Sequence, residues 1–285
     1  ARMQKPIGIF LLLFWLLAGC GGAPVPEATP TAPVVTDLQV LVASDDFAVG
    51  QPRVPFVFFD GPNRTANVSA VDITVFDLSE EPAVAGWSGP AESFNDYEVP
   101  YWTVHPEIPH AGIWGLIART RFPDGSSNDI QFAIEVKEAY SYPTIGDAAI
   151  PVDNPTLPEA ELAAISTDPE PEPALYETTI TAALASGKPT VIMFATPAYC
   201  QTAVCAPAVE TMKAVYGEYE ETVNFVQIEI YADYQAELLA EAVAAWRLVT
   251  EPWTYVIDGD GIITARMGGP VSPRELTEAL EEILP

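Results

Sequence analysis

Phe194-Ala195-Thr196-Pro197-Ala198-Tyr199-Cys200 carries an apolar run, Thr190 to Phe194, into a proline and then a cysteine. A run this short, bounded by turn formers, fits a strand buried on both faces. Outward from it, Leu175 to Ser186 reads as a helix closed by Gly187, and Ala203 to Tyr219 as the helix after the cysteine segment. Val223 to Ile230 reads as a strand, Gln235 to Trp246 as a helix and Trp253 to Ile257 as a strand. Ile262 to Arg266 is its hairpin partner across Asp258-Gly259-Asp260-Gly261, and Pro273 to Ile283 a final helix. The order after the leading helix is β-α-β-α-β-β-α, an α/β domain over residues 175–285.

In that order and in its residues, this segment resembles the thioredoxin family. Phe194 to Cys200 sits where those proteins run from their central strand into the active-site cysteine, and Pro207 falls at the kinking proline of the next helix. Glu251-Pro252-Trp253-Thr254 matches the cis-proline segment that faces the active site, and Gly268-Gly269 the glycine before the last helix. The resemblance implies thiol-disulfide exchange. Cys200 would be the nucleophile at a helix N-terminus, where the dipole and free amides favour the thiolate, and Cys205 the resolving thiol. Substrate contacts would come from Tyr199, Thr250, Glu251, Pro252 and Trp253, with the backbone around Pro252 offered to a partner chain and Tyr199 and Trp253 as an apolar rim. Protein thiols and disulfides are the implied partners, with no cofactor and no metal.

This chain departs from the family pattern in three places. The spacing is Cys-x4-Cys rather than Cys-x2-Cys, Met193 stands where many thioredoxins keep a buried proton-shuttling aspartate, and Tyr199 replaces the tryptophan before the cysteine. Residues five apart in a regular α-helix have Cα atoms about 8 Å apart, beyond the roughly 7 Å reach of a disulfide, so a bond requires Cys200 outside the helix. Thr202 as N-cap satisfies this; Thr196 as N-cap with Pro197 in the first turn would put both cysteines in the helix. Cys-x4-Cys is also the spacing of Q-type peroxiredoxins, but Pro252 occupies the place of their arginine and Thr196 is one residue too far from the cysteine. The alternatives to an oxidoreductase are therefore such a thiol peroxidase, or a redox-inactive binding or assembly module.

The beginning of the chain gives an address. Arg2 and Lys5 precede an apolar stretch, Ile7 to Leu17, which as a helix would be only about 16 Å long against a bilayer core of about 30 Å. It reads as a cleaved signal over residues 1–19. Leu17-Ala18-Gly19-Cys20 resembles the lipobox of bacterial lipoproteins, which implies a lipid on Cys20 and a location on the extracytoplasmic side of the cell membrane. With Cys20 lipidated, Cys200 and Cys205 are the two remaining sulfurs, and an isolated pair in an oxidising compartment is expected to be a disulfide or redox couple. Residues 20–36, rich in Pro, Ala and Thr, read as an extended tether.

Residues 37–140 carry short strand-like runs: Leu38 to Ala43, Val54 to Phe59, Val71 to Leu78, Val99 to Val104, Gly112 to Ala118 and Ile130 to Val136. Their alternation and turn signals point to an antiparallel, immunoglobulin-like β-sandwich. His105-Pro106-Glu107-Ile108-Pro109-His110 holds both histidines beside a carboxylate, but two prolines rule out helical metal-ligand spacing, and a turn is the expectation. The sequons at Asn63 and Asn67 are taken as chance matches. A Pro-rich linker over 141–174, with a helical turn at Glu159 to Ile165, completes the two-domain reading. With 40 acidic against 12 basic residues and a net charge of -28, the chain repels nucleic acid and anionic lipid surfaces. The sequence assigns no oligomeric state.

Overall fold

The computed structural model describes residues 38–65, 67–95, 97–200 and 203–284. The signal, Cys20, the tether and Thr202 therefore lie outside the described residues. Ten strands come first: β1 (Leu38–Val42), β2 (Phe47–Ala48), β3 (Val54–Asp60), β4 (Asn63–Arg64), β5 (Ala70–Asp77), β6 (Val84–Pro90), β7 (Glu92–Phe94), β8 (Tyr101–Val104), β9 (Gly112–Arg121) and β10 (Ser127–Lys137). They form two sheets, β1-β3-β8-β7 with β4 on the flank of β3, and β2-β10-β9-β5-β6. Strand alternation builds the space between them. On β10, Ile134 and Val136 are buried while Gln131, Ala133 and Glu135 are exposed. They meet Phe56 and Phe58 of β3, Trp102 and Val104 of β8, and Ile73, Trp114 and Leu116 of the second sheet in one apolar cluster. All pairings but one are antiparallel; β2 runs parallel to β10.

The six expected strands are present, at bounds shifted by a few residues. The sequence reading passes over β2, β4, β6 and β7. β6, Val-Ala-Gly-Trp-Ser-Gly-Pro, is largely exposed along one edge and lacks the β-branched density that marks a strand. The His105 to His110 segment is a loop, as expected. Ile108 bridges Gly50, and His110 Nε2 lies 2.8 Å from Asp77 Oδ2.

The second half contains α1 (Leu162–Ile165), a 3-10 turn (Pro173–Tyr176), α2 (Ile180–Ala185), β11 (Thr190–Phe194), α3 (Cys205–Tyr219), β12 (Asn224–Ile228), β13 (Tyr231–Asp233), β14 (Leu238–Leu239), α4 (Glu241–Ala245), β15 (Trp253–Ile257), β16 (Ile263–Gly268) and α5 (Pro273–Glu281). The main sheet is β12-β11-β15-β16, with β12 parallel and β15 antiparallel to β11. Every residue of β11 is buried, because helices cover both faces. Val191 and Met193 pack with Val209, Met212, Leu276 and Leu280 of α3 and α5. Ile192 and Phe194 pack with Ile180, Val243 and Trp246 on the α2 and α4 side.

Two expected helices are corrected. Leu175 to Ser186 is not continuous: the 3-10 turn ends at Tyr176, and α2 begins only after Thr179, whose hydroxyl accepts from Ala182 N at 3.0 Å. Ser/Thr N-caps satisfy amides that a continuous helix would have bonded, so Thr179 starts a helix rather than extending one. Thr179→Ala should cost about 1 kcal/mol, read as a lowered denaturation midpoint at constant m. Gln235 to Trp246 is helical only from Glu241; its first part holds β14, which pairs with the preceding β13 in a small hairpin and leaves Leu238 and Leu239 exposed. Apolar periodicity there reflected a surface, not a buried helix face.

The Pro-rich segment 141–174 packs closely on this second half. Tyr142, Ala149 and Val152 enter the α2/α4-side cluster, and Trp246 Nε1 donates to Ile150 O at 3.0 Å. Lys213 pairs with the buried Asp168 at 2.5 Å. Prolines stop long elements without preventing burial, which is why composition alone reads this stretch as a linker. The described residues from 38 onward fall within one unit.

A candidate redox site

Cys200 and Cys205 are joined by a disulfide, with Cα atoms 5.9 Å apart. Residues 197–199 form a turn closed by Tyr199 N donating to Thr196 O at 3.3 Å, so the helix start at Thr196 and Pro197 is not used. α3 begins at Cys205 itself, with Val204 at the N-cap and, among the described residues, no side-chain cap on its amides. Cys200 thus lies in the loop and Cys205 in the first turn, the arrangement that brings the sulfurs within reach. Cys205 is fully buried; Cys200 is half-buried, at the edge of a cleft it shares with Tyr199, Tyr234 and Val249.

The Glu251-Pro252 peptide is cis and stands directly before β15, and it is the Glu251 side chain that reaches the disulfide. Gly269 N donates to Pro252 O at 3.0 Å. Tyr199 is 45% exposed and stacks on Tyr234 with ring centroids 3.9 Å apart, so one side of the expected apolar rim is there. Trp253 is not part of it. Its side chain is only 2% exposed, packed edge-on against Tyr142 and under the Arg266 guanidinium, 4.7 Å from the ring. An aromatic directly after the proline points inward because it begins a central strand whose whole length is buried. Thr250 is exposed, but its hydroxyl donates to Asp45 Oδ1 at 2.9 Å, from the loop between β1 and β2.

That loop approaches the site closely. Gly269 has φ +82°, and a Cβ there would collide with the Ala43 carbonyl, so the sandwich backbone can lie against the turn after β16 only because the residue is glycine. Between Leu41, Val57 and Phe59 on the sandwich side and Val204, Glu251 and Pro252 on the other is a cleft of about 210 Å³.

Met193 is fully buried beneath the site and carries no proton. Two carboxylates are nearby instead. Glu251 Oε2 accepts from Thr196 N at 2.6 Å and lies 3.4 Å from Cys205 Sγ. Burial raises the Glu251 pKa, opposed by the Thr196 hydrogen bonds. Glu229, just beyond β12, accepts from Thr167 N at 2.5 Å. Burial pushes it up to about 7, against the Thr167 and Thr196 hydrogen bonds, and the Glu251 charge adds to the rise. Sequence reading named Glu251 only for its backbone and missed Glu229. The available signal was an acid within the apolar run Val223 to Ile230.

Among the described residues, Cys200, Cys205 and Glu251 are the one group of three potential metal ligands, their donor atoms within 4.8 Å of one another. With the sulfurs bonded to each other neither is a thiolate, so the oxidised site offers one carboxylate rather than a ligand set.

No protein-family model matches the chain, and no curated protein matches it. Among solved structures, a thiol:disulfide interchange protein of the thioredoxin family from Chlorobium tepidum TLS aligns at 17% identity and TM-score 0.31, over 49% of this chain and 100% of its own. StoA from Bacillus subtilis aligns at 16% identity and TM-score 0.28, over 33% and 83%. CopC from Methylosinus trichosporium OB3b aligns at 16% and 0.25, over 33% and 84%. The second half of the chain is thioredoxin-like in fold. Its own geometry carries this: the β12-β11-β15-β16 sheet, helices on both faces, a disulfide at the start of α3 and a cis-proline directly before β15.

Proposed function

We propose that this chain is a membrane-anchored, extracytoplasmic thiol-disulfide oxidoreductase. Cys200 exchanges with a sulfur of a partner protein, Cys205 resolves the mixed disulfide, and the backbone around Pro252 receives the partner chain. The observation that carries the reading is the Cys200–Cys205 disulfide, with one sulfur at a cleft and the other in the first turn of α3. The address is supported by the Leu17-Ala18-Gly19-Cys20 sequence, with residues 1–19 as signal, the lipid on Cys20 and residues 20–36 as tether. The two facing sheets of the first half support an immunoglobulin-like sandwich over 37–140.

The full chain should show a reversible two-electron couple between about -270 and -120 mV, the span of catalytic dithiols, and should reduce insulin disulfides. A bond still oxidised below about -300 mV, with no insulin turnover, would overturn the reading in favour of a scaffold. Consumption of peroxide without insulin reduction would favour a thiol peroxidase.

A further inference from the structure

We propose that Glu251 is the proton acceptor and donor for Cys205, with Glu229 behind it as a positioning carboxylate across Thr196. This rests on the exchange chemistry proposed above and assigns its proton path. In the reacting pair, Cys205 is the sulfur sealed from water, so its thiol cannot hand its proton directly to solvent. Met193 lies below it with no titratable atom. The group that does reach the sulfur is the Glu251 carboxylate, 3.4 Å away and fixed in place by the Thr196 amide. Thr196 is 1% exposed; its amide donates to Glu251, its hydroxyl accepts from Ile230 N at 3.2 Å, and it shares the lining of one cleft with Glu229. Glu229 in turn lines a cleft of about 150 Å³ with Thr167, Tyr199 and Tyr234. The chain of groups therefore runs from a buried sulfur to an opening on the surface.

Cys200 thiolate attacks a partner disulfide, forming a mixed disulfide and releasing the partner's first sulfur as a thiolate. Cys205 then gives its proton to Glu251 and its thiolate attacks Cys200 Sγ. The Cys200–Cys205 bond forms, the bond to the partner breaks, and the electron pair leaves on the partner's second sulfur. The partner's two thiolates take up two protons from water, while the proton on Glu251 and the one lost earlier from Cys200 pass to water. Two electrons have moved from the protein to the partner. In the opposite direction Glu251 returns the proton to Cys205 as its sulfur leaves.

Several groups face Glu251. Cys205 faces it from α3 and Glu229 from the end of β12; Arg64 and Asp45 line the cleft on the sandwich side, and Glu237 with Tyr199, Tyr231 and Tyr234 the cleft on the other. Burial raises the Glu251 pKa toward the pH range in which a carboxyl group exchanges protons efficiently.

The test uses the reduced full chain mixed with excess 5,5'-dithiobis(2-nitrobenzoate) in a stopped-flow instrument. The first equivalent of chromophore reports attack by Cys200 and the second reports resolution by Cys205. Glu251→Gln should slow the second phase by about 10- to 100-fold and flatten its pH dependence, leaving the first phase within about threefold. Glu251→Asp should recover part of the loss. Glu229→Gln should keep the second phase but remove the part of its pH dependence that falls near 7, where Glu229 itself ionises beside Glu251. An unchanged second phase in Glu251→Gln overturns the assignment, as does, should that variant not fold, a pH dependence near 7 that Glu229→Gln leaves in place. A wild-type chain that releases no second equivalent overturns the exchange reading itself and the proton path with it.

Discussion

Arg53→Ala should lower the unfolding free energy by about 3–5 kcal/mol, one of the two largest effects any single substitution is expected to have here. Arg53 sits just before β3, yet its partners are more than two hundred residues away. Its Nε donates to Glu275 Oε1 at 2.6 Å and its Nη2 to Oε2 at 2.8 Å, while Nη1 and Nη2 reach the carbonyls of Gly268 and Pro270. The two side chains are only 10% and 12% exposed. Tyr101 of β8 donates to the same carboxylate at 2.5 Å and accepts from Ser272 N, the N-cap of α5. Its phenol is held far above its usual pKa by burial and by the Glu275 charge, so it remains a donor. Removing Arg53 leaves Glu275 charged, buried and short of two donors, with two carbonyls also abandoned. That is the costly way to break a buried pair, whereas losing both partners leaves no orphaned charge. Arg53→Ala combined with Glu275→Ala should therefore cost clearly less than the two singles added, as seen in a denaturant-unfolding cycle. An Arg53→Ala chain within about 1 kcal/mol of wild type would show that the network is not desolvated.

How much of this could be read in the sequence follows from what kind of signal each feature leaves. β11 and β15 match the sequence reading residue for residue, because a strand buried on both faces is a short apolar run with hard edges. Cys200 ahead of the helix also followed, from the geometry a disulfide demands. The hairpin β13-β14 did not, since its apolar residues decorate an exposed surface and mimic helical spacing. The contacts that press the sandwich onto the redox site were also invisible. Arg53 with Glu275, Asp46 with Arg266, and Asp45 with Thr250 join residues far apart in the chain, and one charged residue carries no mark of its partner. Trp253 shows the opposite error. The sequence makes it half of an apolar rim, but it begins a strand buried along its whole length, with its ring against Tyr142 and under the Arg266 guanidinium. Glu229 was legible in principle, as an acid in an apolar strand, yet its meaning depends on Thr196 and Glu251, which only the folded chain brings beside it.

Glu229→Gln should stabilise the oxidised protein at pH 8 by up to about 3 kcal/mol and leave it unchanged near pH 4. The folded carboxyl titrates at about 7 against 4.5 for a free side chain, with the residue only 8% exposed. The folded state therefore binds the proton more tightly than the unfolded state. Below pH 4.5 both states are protonated and the buried neutral acid carries no charge penalty. As pH rises from 4.5 to about 7 the unfolded chain gives up the proton while the folded one keeps it, and stability falls. Above about 7 the folded carboxyl ionises as well and the loss levels off. Glutamine reproduces the neutral shape, including an oxygen for Thr167 N, without ever ionising, so the gap between variant and wild type should open across that window. Denaturant unfolding at fixed pH steps, with the disulfide kept intact, measures it directly. A gap independent of pH would mean that burial does not raise the Glu229 pKa above that of a free side chain. A gap that opens as described shows the chain keeping a destabilising acid at neutral pH, beside the sulfur whose proton must travel.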